Sequence, residues 1–185
     1  MSETREELHF RRIDLRGWRR SDGLYEIEGR VTDRKPREFR PANGTKVVPA
    51  GEPLHDMGAK LVFDDDMVVT EVSAFTDSAP YDDCFDAGRT LQAVKGLRIA
   101  GGWSAEVRKR LGGAQSCTHL SELLIAMATA AYQALATVRA GRPEIVDAAG
   151  RPVKVDSCYA YASGREVVMR RWPNFYTGPK ADVSE

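Results

Sequence analysis

A thiol and an imidazole stand two residues apart in Gly112-Gly-Ala-Gln-Ser-Cys-Thr-His-Leu120, where a glycine break meets the start of a long apolar-periodic stretch. A helix that begins there turns its free N–H groups and positive dipole end toward whatever binds. Cysteines in such places become reactive thiolates, and a neighbouring histidine can hold a proton or a metal. Cys117 and His119 are therefore the strongest candidate pair. His55 joins them from Gly51-Glu-Pro-Leu-His-Asp-Met57, a loop that delivers side chains to a strand end, with Asp56 beside it to orient or charge-balance an imidazole. The third histidine, His9, lies between Leu8 and Phe10 in an alternating segment and reads as an ordinary sheet-face residue.

Two chemistries fit these residues. Cys84 can complete a set of S and N donors with His55, Cys117 and His119, a tetrahedral zinc-like group, although the spacing is that of no local zinc motif. Without metal the same groups form an acid–base site, with His55 as general base, His119 as its partner and the helix terminus stabilising developing negative charge. Asp22, Glu26, Glu28 and Asp33 around the first hairpin are candidates for a carboxylate member; Asp22, before Gly23, is most simply a turn former. Tyr25, Trp18, Trp103, Tyr159 and Tyr161 offer surface for a ring-bearing ligand. The sequence contains no Walker loop, Gly-x-Gly-x-x-Gly, Gly-x-Ser-x-Gly or His-Glu-x-x-His, so nucleotide-driven, serine-hydrolase and zincin chemistries lose their usual support.

The elements that must position these groups follow from periodicity. Leu8 to Leu15 and Leu24 to Val31 alternate apolar and charged residues about Ser21-Asp22-Gly23, which predicts a hairpin. A second hairpin is expected from Ala59–Phe63 and Met67–Phe75 across the turn Asp64-Asp65-Asp66, after a proline-rich excursion over 36–53 that includes Asn43-Gly44. Asp86 is placed to cap a short helix through Lys95, and Ser104 another through Leu111, stopped by Gly112-Gly113. Leu120, Leu123, Leu124, Met127, Ala131, Leu135 and Val138 share one face of a third helix, ended by Gly141 and Pro143. Val155–Tyr161 and Glu166–Trp172 read as a last hairpin. Strands, then helices, then strands predict an α+β fold: an antiparallel sheet of hairpins with helices packed on one face.

At 185 residues the chain is the size of one domain, expected to span 1–185 with a frayed start over 1–7 and a flexible end over 177–185. Lys and Arg total 27 and so do Asp and Glu, which removes any general attraction to nucleic acid or an anionic membrane. Three widely spaced cysteines, without a CxxC pair or a signal-peptide pattern, predict free thiols and a cytoplasmic location. The apolar run from Leu120 to Val138 is broken by Ser121, Glu122, Thr129, Gln133 and Thr137, so a soluble protein is expected.

Arg19-Arg20-Ser-Asp-Gly-Leu-Tyr-Glu-Ile-Glu-Gly29, Gly51 to Met57, Gly112 to Leu120, and Asp156-Ser-Cys-Tyr-Ala-Tyr161 with Trp172-Pro173 occur in the order of a bacterial family, domain of unknown function 2889, which this sequence resembles over residues 9 to 176. That family is common in proteobacteria that degrade aromatic compounds. The resemblance thus implies an enzyme acting on an aromatic or acyl substrate. A more distant similarity is to the NifU-type iron–sulfur scaffolds: Pro53-Leu-His55 precedes a hairpin, Cys84 follows it, and Cys117-Thr-His119 opens the long helix. It implies a NifU/SufE-like core, with His55 where those scaffolds carry a cysteine and with a differently ordered Cys/His pair.

The expectation drawn from residues and resemblance together is a lyase without organic cofactor, cleaving a C–C or C–O bond in the substituent of a phenolic compound and releasing formaldehyde. His55 and His119 would move protons, Asp56 would orient one of them, Cys117 would line the helix terminus and Tyr25 would hold the ring hydroxyl. The alternative is a carrier module binding zinc or iron through His55, Cys84, Cys117 and His119. The expected partner is a small aromatic molecule, with homo-oligomerisation left open.

Overall fold

Alternation of apolar and charged residues builds a four-stranded antiparallel meander in the order β1-β2-β3-β4. In the computed structural model, which describes residues 3–42 and 46–179, the strands are β1 (Phe10–Arg19), β2 (Tyr25–Arg34), β3 (Pro53–Phe63) and β4 (Val69–Ser78). Both expected hairpins are present, each strand longer than the apolar alternation alone marked. Tyr25, Ile27, Gly29, Val31 and Asp33 alternate as the buried face of β2; Met57, Ala59, Leu61 and Phe63 continue that layer on β3. The fold is α+β. Asn43-Gly44 lies outside the described residues, as do 1–2 of the expected frayed start and 180–185 of the expected flexible end.

The sheet's inner face is covered by α2 (Thr118–Val138) over β1 to β3, with α1 (Trp103–Leu111) packed against α2, and Leu120, Leu123, Leu124, Met127, Ala131 and Leu135 are buried as the periodicity predicts. By length and composition alone α2 could cross a membrane, but this apolar stripe is the one that packs in the core. The Trp103 indole N–H donates to the Leu124 carbonyl at 2.9 Å and ties the two helices together. The segment after Asp86 is a 3-10 helix, Ala87–Val94, and the Asp86 side chain makes no capping bond to it.

Close approach of α2 to the sheet depends on the absence of a side chain, most tightly at Gly17. A Cβ built at Gly17 would lie 2.6 Å from the Ala134 Cβ, inside van der Waals contact. Gly17→Val is therefore expected to destabilise the protein by about 1–3 kcal/mol through overpacking, read as a lower urea midpoint with an unchanged slope. An unaltered midpoint would mean that α2 does not seat on β1 in this way.

The chain divides into two units, Met1–Val138 and Arg139–Glu185. In the second, the expected last hairpin does not form. Val155–Tyr161 is turns and a short 3-10 helix, and Glu166–Arg171 is a helix, α3. The cause is local. Asp156 has a left-handed φ of 64° and its carboxylate accepts from the Ser163 N–H at 2.7 Å, which bends the backbone where an extended strand was expected. Val168 and Trp172 are four apart, a helical spacing, and they bury together with Val155.

Candidate functional site

The cross-strand register sets Arg11 opposite Asp33 and Asp33 opposite His55, a row of three functional side chains over three adjacent strands. Asp33 ends the buried stripe of β2, so its carboxylate points inward where the apolar residues before it point, and it is only 1% exposed. The Arg11 guanidinium clamps it, Nε to Oδ1 at 2.6 Å and a terminal nitrogen to Oδ2 at 2.7 Å. His9, two residues before Arg11 and thus on the same side of the strand, brings Nε2 to 3.1 Å from Oδ1.

The helix supplies the remaining group. Gly112-Gly113 ends α1, and the linker to α2 is fixed by a 2.6 Å bond between the Thr90 and Ser116 hydroxyls. The Ser121 hydroxyl donates to the Leu111 carbonyl, which holds the first turn of α2 against the end of α1. His119 in that turn then reaches the row, Nε2 lying 3.4 Å from Asp33 Oδ2. His55 Nδ1 is 3.1 Å from the same oxygen, and the two imidazole rings lie 4.0 Å apart between centroids. Asp33, His55 and His119 each offer a ligand atom within 4.8 Å of the others.

Electrostatics divide the roles. Burial foremost, with the nearby His119 adding, pushes His55 from 6.5 down to about 4. Burial also lowers His119, against the pull of Asp33. Both rings are therefore uncharged at neutral pH. Burial opposes ionisation of Asp33, but the Arg11 bonds and charge, helped by the histidines, outweigh it and hold the carboxyl below its ordinary range. An anion, a fixed guanidinium and two neutral imidazoles result.

The residues expected from sequence distribute unevenly around this centre. His55 and His119 meet. Cys117 stands beside them, its sulfur 3.7 Å from His119 Nδ1 and 3.8 Å from the Met57 sulfur. Cys84 is half-buried, and burial pushes its thiol pKa up; neither thiol belongs to the Asp33–His55–His119 trio. Asp56 cannot orient His55: neighbours along a strand face opposite ways, and Asp56 is engaged on the outer face by Arg30 at 2.6 and 2.8 Å. Tyr25 sits at the far end of β2 from Asp33, its hydroxyl donating to Asp65 at 3.0 Å and its ring stacked on Phe63. Among the hairpin acids, Asp22 accepts from the Leu24 N–H and from Arg20, and Glu26 pairs with Lys60. A groove of about 430 Å³ lined by Phe10, Arg12, Arg30 and Asp56 lies on that outer face, where Asp14, Asp56 and Asp77 already occupy its Arg12 and Arg30 guanidiniums.

In sequence Asp33 is one acid of four around the first hairpin, and His9 carries no mark beyond that of an ordinary sheet-face residue. The signal for Asp33 was its parity: a carboxylate at the fifth position of an inward stripe needs a buried partner. The family described as protein of unknown function, DUF2889, matches residues 9–133, which contain every residue of this site. The chain belongs to that family. No curated protein and no solved structure matches it.

Proposed function

We propose that the protein is a cytoplasmic enzyme of aromatic-compound catabolism, a lyase without organic cofactor that breaks a C–C or C–O bond in the substituent of a phenolic substrate. The observation that carries this reading is the shared carboxylate: one buried anion holds a partly exposed histidine on Oδ1 and two uncharged imidazoles near Oδ2. Loss of a hydroxymethyl carbon as formaldehyde needs a phenolate that expels an oxygen leaving group from the benzylic carbon, so that the resulting quinone methide accepts the C–C electron pair. It also needs a base for the hydroxyl proton and a place that holds the departing oxygen. His9 is 40% exposed and oriented by Asp33, which suits it to carry the proton. The Asp33–His55–His119 group is the natural locus for the oxygen, and His119, 24% exposed, borders solvent there.

The alternative, a metal or iron–sulfur carrier on a NifU/SufE-like core, needs Cys84 and Cys117 among its ligands. The protonated state favoured for Cys84 and the thiol-free trio weigh against it.

The test is a panel of phenolic dimers incubated with the protein, product masses recorded without preselection. Turnover of at least one member is expected, with His9→Ala and His119→Ala each slowing it about 100-fold while the far-UV spectrum stays native. A panel returned unaltered would remove the lyase reading.

A further inference from the structure

The geometry points to a divalent transition-metal site formed by His55 Nδ1, His119 Nε2 and one oxygen of Asp33. It goes beyond the lyase reading, because it rests on ligand geometry and requires no turnover.

The first support is an orphaned atom. His55 Nδ1 lies within 3.1 Å of Asp33 Oδ2 yet at an angle that makes no hydrogen bond, and it is a buried polar atom with no hydrogen-bond partner among the described residues. Such an atom costs about 1–3 kcal/mol unless something satisfies it. The His119 approach, 3.4 Å, is also longer than an ordinary N–H···O bond. Lone pairs that face one shared point rather than each other behave in this way. Ligands about 2.1 Å from a cation stand about 3.0 Å apart at adjacent octahedral corners and about 3.4 Å apart in a tetrahedron. The two separations from Asp33 Oδ2, 3.1 and 3.4 Å, fall within that range of edge lengths, and the three ligand atoms lie within 4.8 Å of one another.

The second support is the count of lone pairs on Asp33. A carboxylate offers about four acceptor positions. Oδ1 uses two, for Arg11 Nε and His9; Oδ2 uses one, for the other Arg11 nitrogen. One position on Oδ2 remains, on the atom that both imidazoles approach. Arg11 then acts from outside, fixing the carboxylate so that a single oxygen is presented. Two imidazoles and one carboxylate suit zinc or ferrous iron rather than magnesium or calcium, and they leave positions open for a substrate oxygen.

The experiment uses the full-length protein, stripped with a chelator and titrated under reducing conditions with Zn²⁺ and, separately, Co²⁺. One equivalent should bind with micromolar or tighter affinity. The Co²⁺ form should show visible d–d bands without the intense near-ultraviolet absorption of thiolate ligation. Asp33→Asn and His119→Ala should each weaken binding about ten-fold or more, whereas Asp56→Asn and Cys84→Ser should not. If either site variant fails to fold, Co²⁺ added to the wild-type protein should still shift or broaden the His55 and His119 ring signals by NMR. Affinity no tighter than millimolar, unchanged affinity in a folded His119→Ala, or a thiolate band lost in Cys117→Ser would each overturn the assignment. Metal binding without turnover would sink only the lyase reading, and turnover by a protein that binds no metal would sink only this one.

Discussion

Asp33→Asn should lower the free energy of unfolding by about 2–4 kcal/mol, the largest effect of any single conservative substitution on the sheet. The amide keeps the size of the carboxylate but not its acceptor capacity. Two guanidinium donors of Arg11 meet the two carboxylate oxygens at 2.6 and 2.7 Å. Whichever way the amide turns, its NH₂ faces one of those donors, and the other oxygen must serve the rest. Full burial of the pair would push the cost toward the top of the range, but the Arg11 side chain is 43% exposed and can rehydrate once released. Urea titration of Asp33→Asn, Arg11→Gln and the double variant measures the pair directly. A coupling energy of about 1–3 kcal/mol is expected. Stability of Asp33→Asn within about 0.5 kcal/mol of wild type would show that the carboxylate is not the centre of the cluster.

Much of the fold was legible because its signals are periodic. The stripe from Leu120 to Leu135 could only be a core-facing helix, and the alternation about Asp22-Gly23 and Asp64 to Asp66 could only be hairpins. Two of the three side chains that converge, His55 and His119, were also readable, since a strand start and a helix start are places where side chains are presented to a common end of the sheet. The carboxylate was not. Choosing Asp33 over Asp56 requires knowing which parity of β3 faces inward and how β2 registers against it, and the pairing slips at a bulge between Asp33 and Arg34. A slip of one residue exchanges the faces, so the register and not the composition decides which acid meets the imidazoles. His9 is hidden for a related reason: nothing in an exposed, Arg-rich segment marks the residue that will land beside a buried anion. The C-terminal segment misled because Val167, Val168 and Met169 satisfy a strand's apolar preference and a helix's spacing equally well over so short a run.

Stability should fall by roughly 3 kcal/mol as the pH drops from 6.5 to about 4, most of it above the range where ordinary carboxylates titrate. Above pH 6.5 His55 is neutral in both the folded and the unfolded state, so it contributes nothing to pH dependence there. Below 6.5 the unfolded state takes up a proton at this ring while the folded one, with the ring buried beside His119, refuses it until about pH 4. The unfolded state binds more protons throughout that window, and stability therefore rises with pH across it. His119, lowered for the same reason, acts in the same direction. Asp33 acts in a separate window: its lowered pKa adds stability that is present above 3.8 and disappears only as the pH falls through its folded value. Arg11 stays charged throughout, and its charge works with burial against protonation of both rings, while Asp33 works the other way. His55→Gln should flatten the melting-temperature profile between pH 6.5 and 4 and leave the fall below 3.8 in place. A wild-type profile already flat over the upper window, or a slope that survives His55→Gln and His119→Gln together, would mean that the imidazoles at Asp33 accept protons freely. The closely packed, uncharged pair would then not describe the protein in solution.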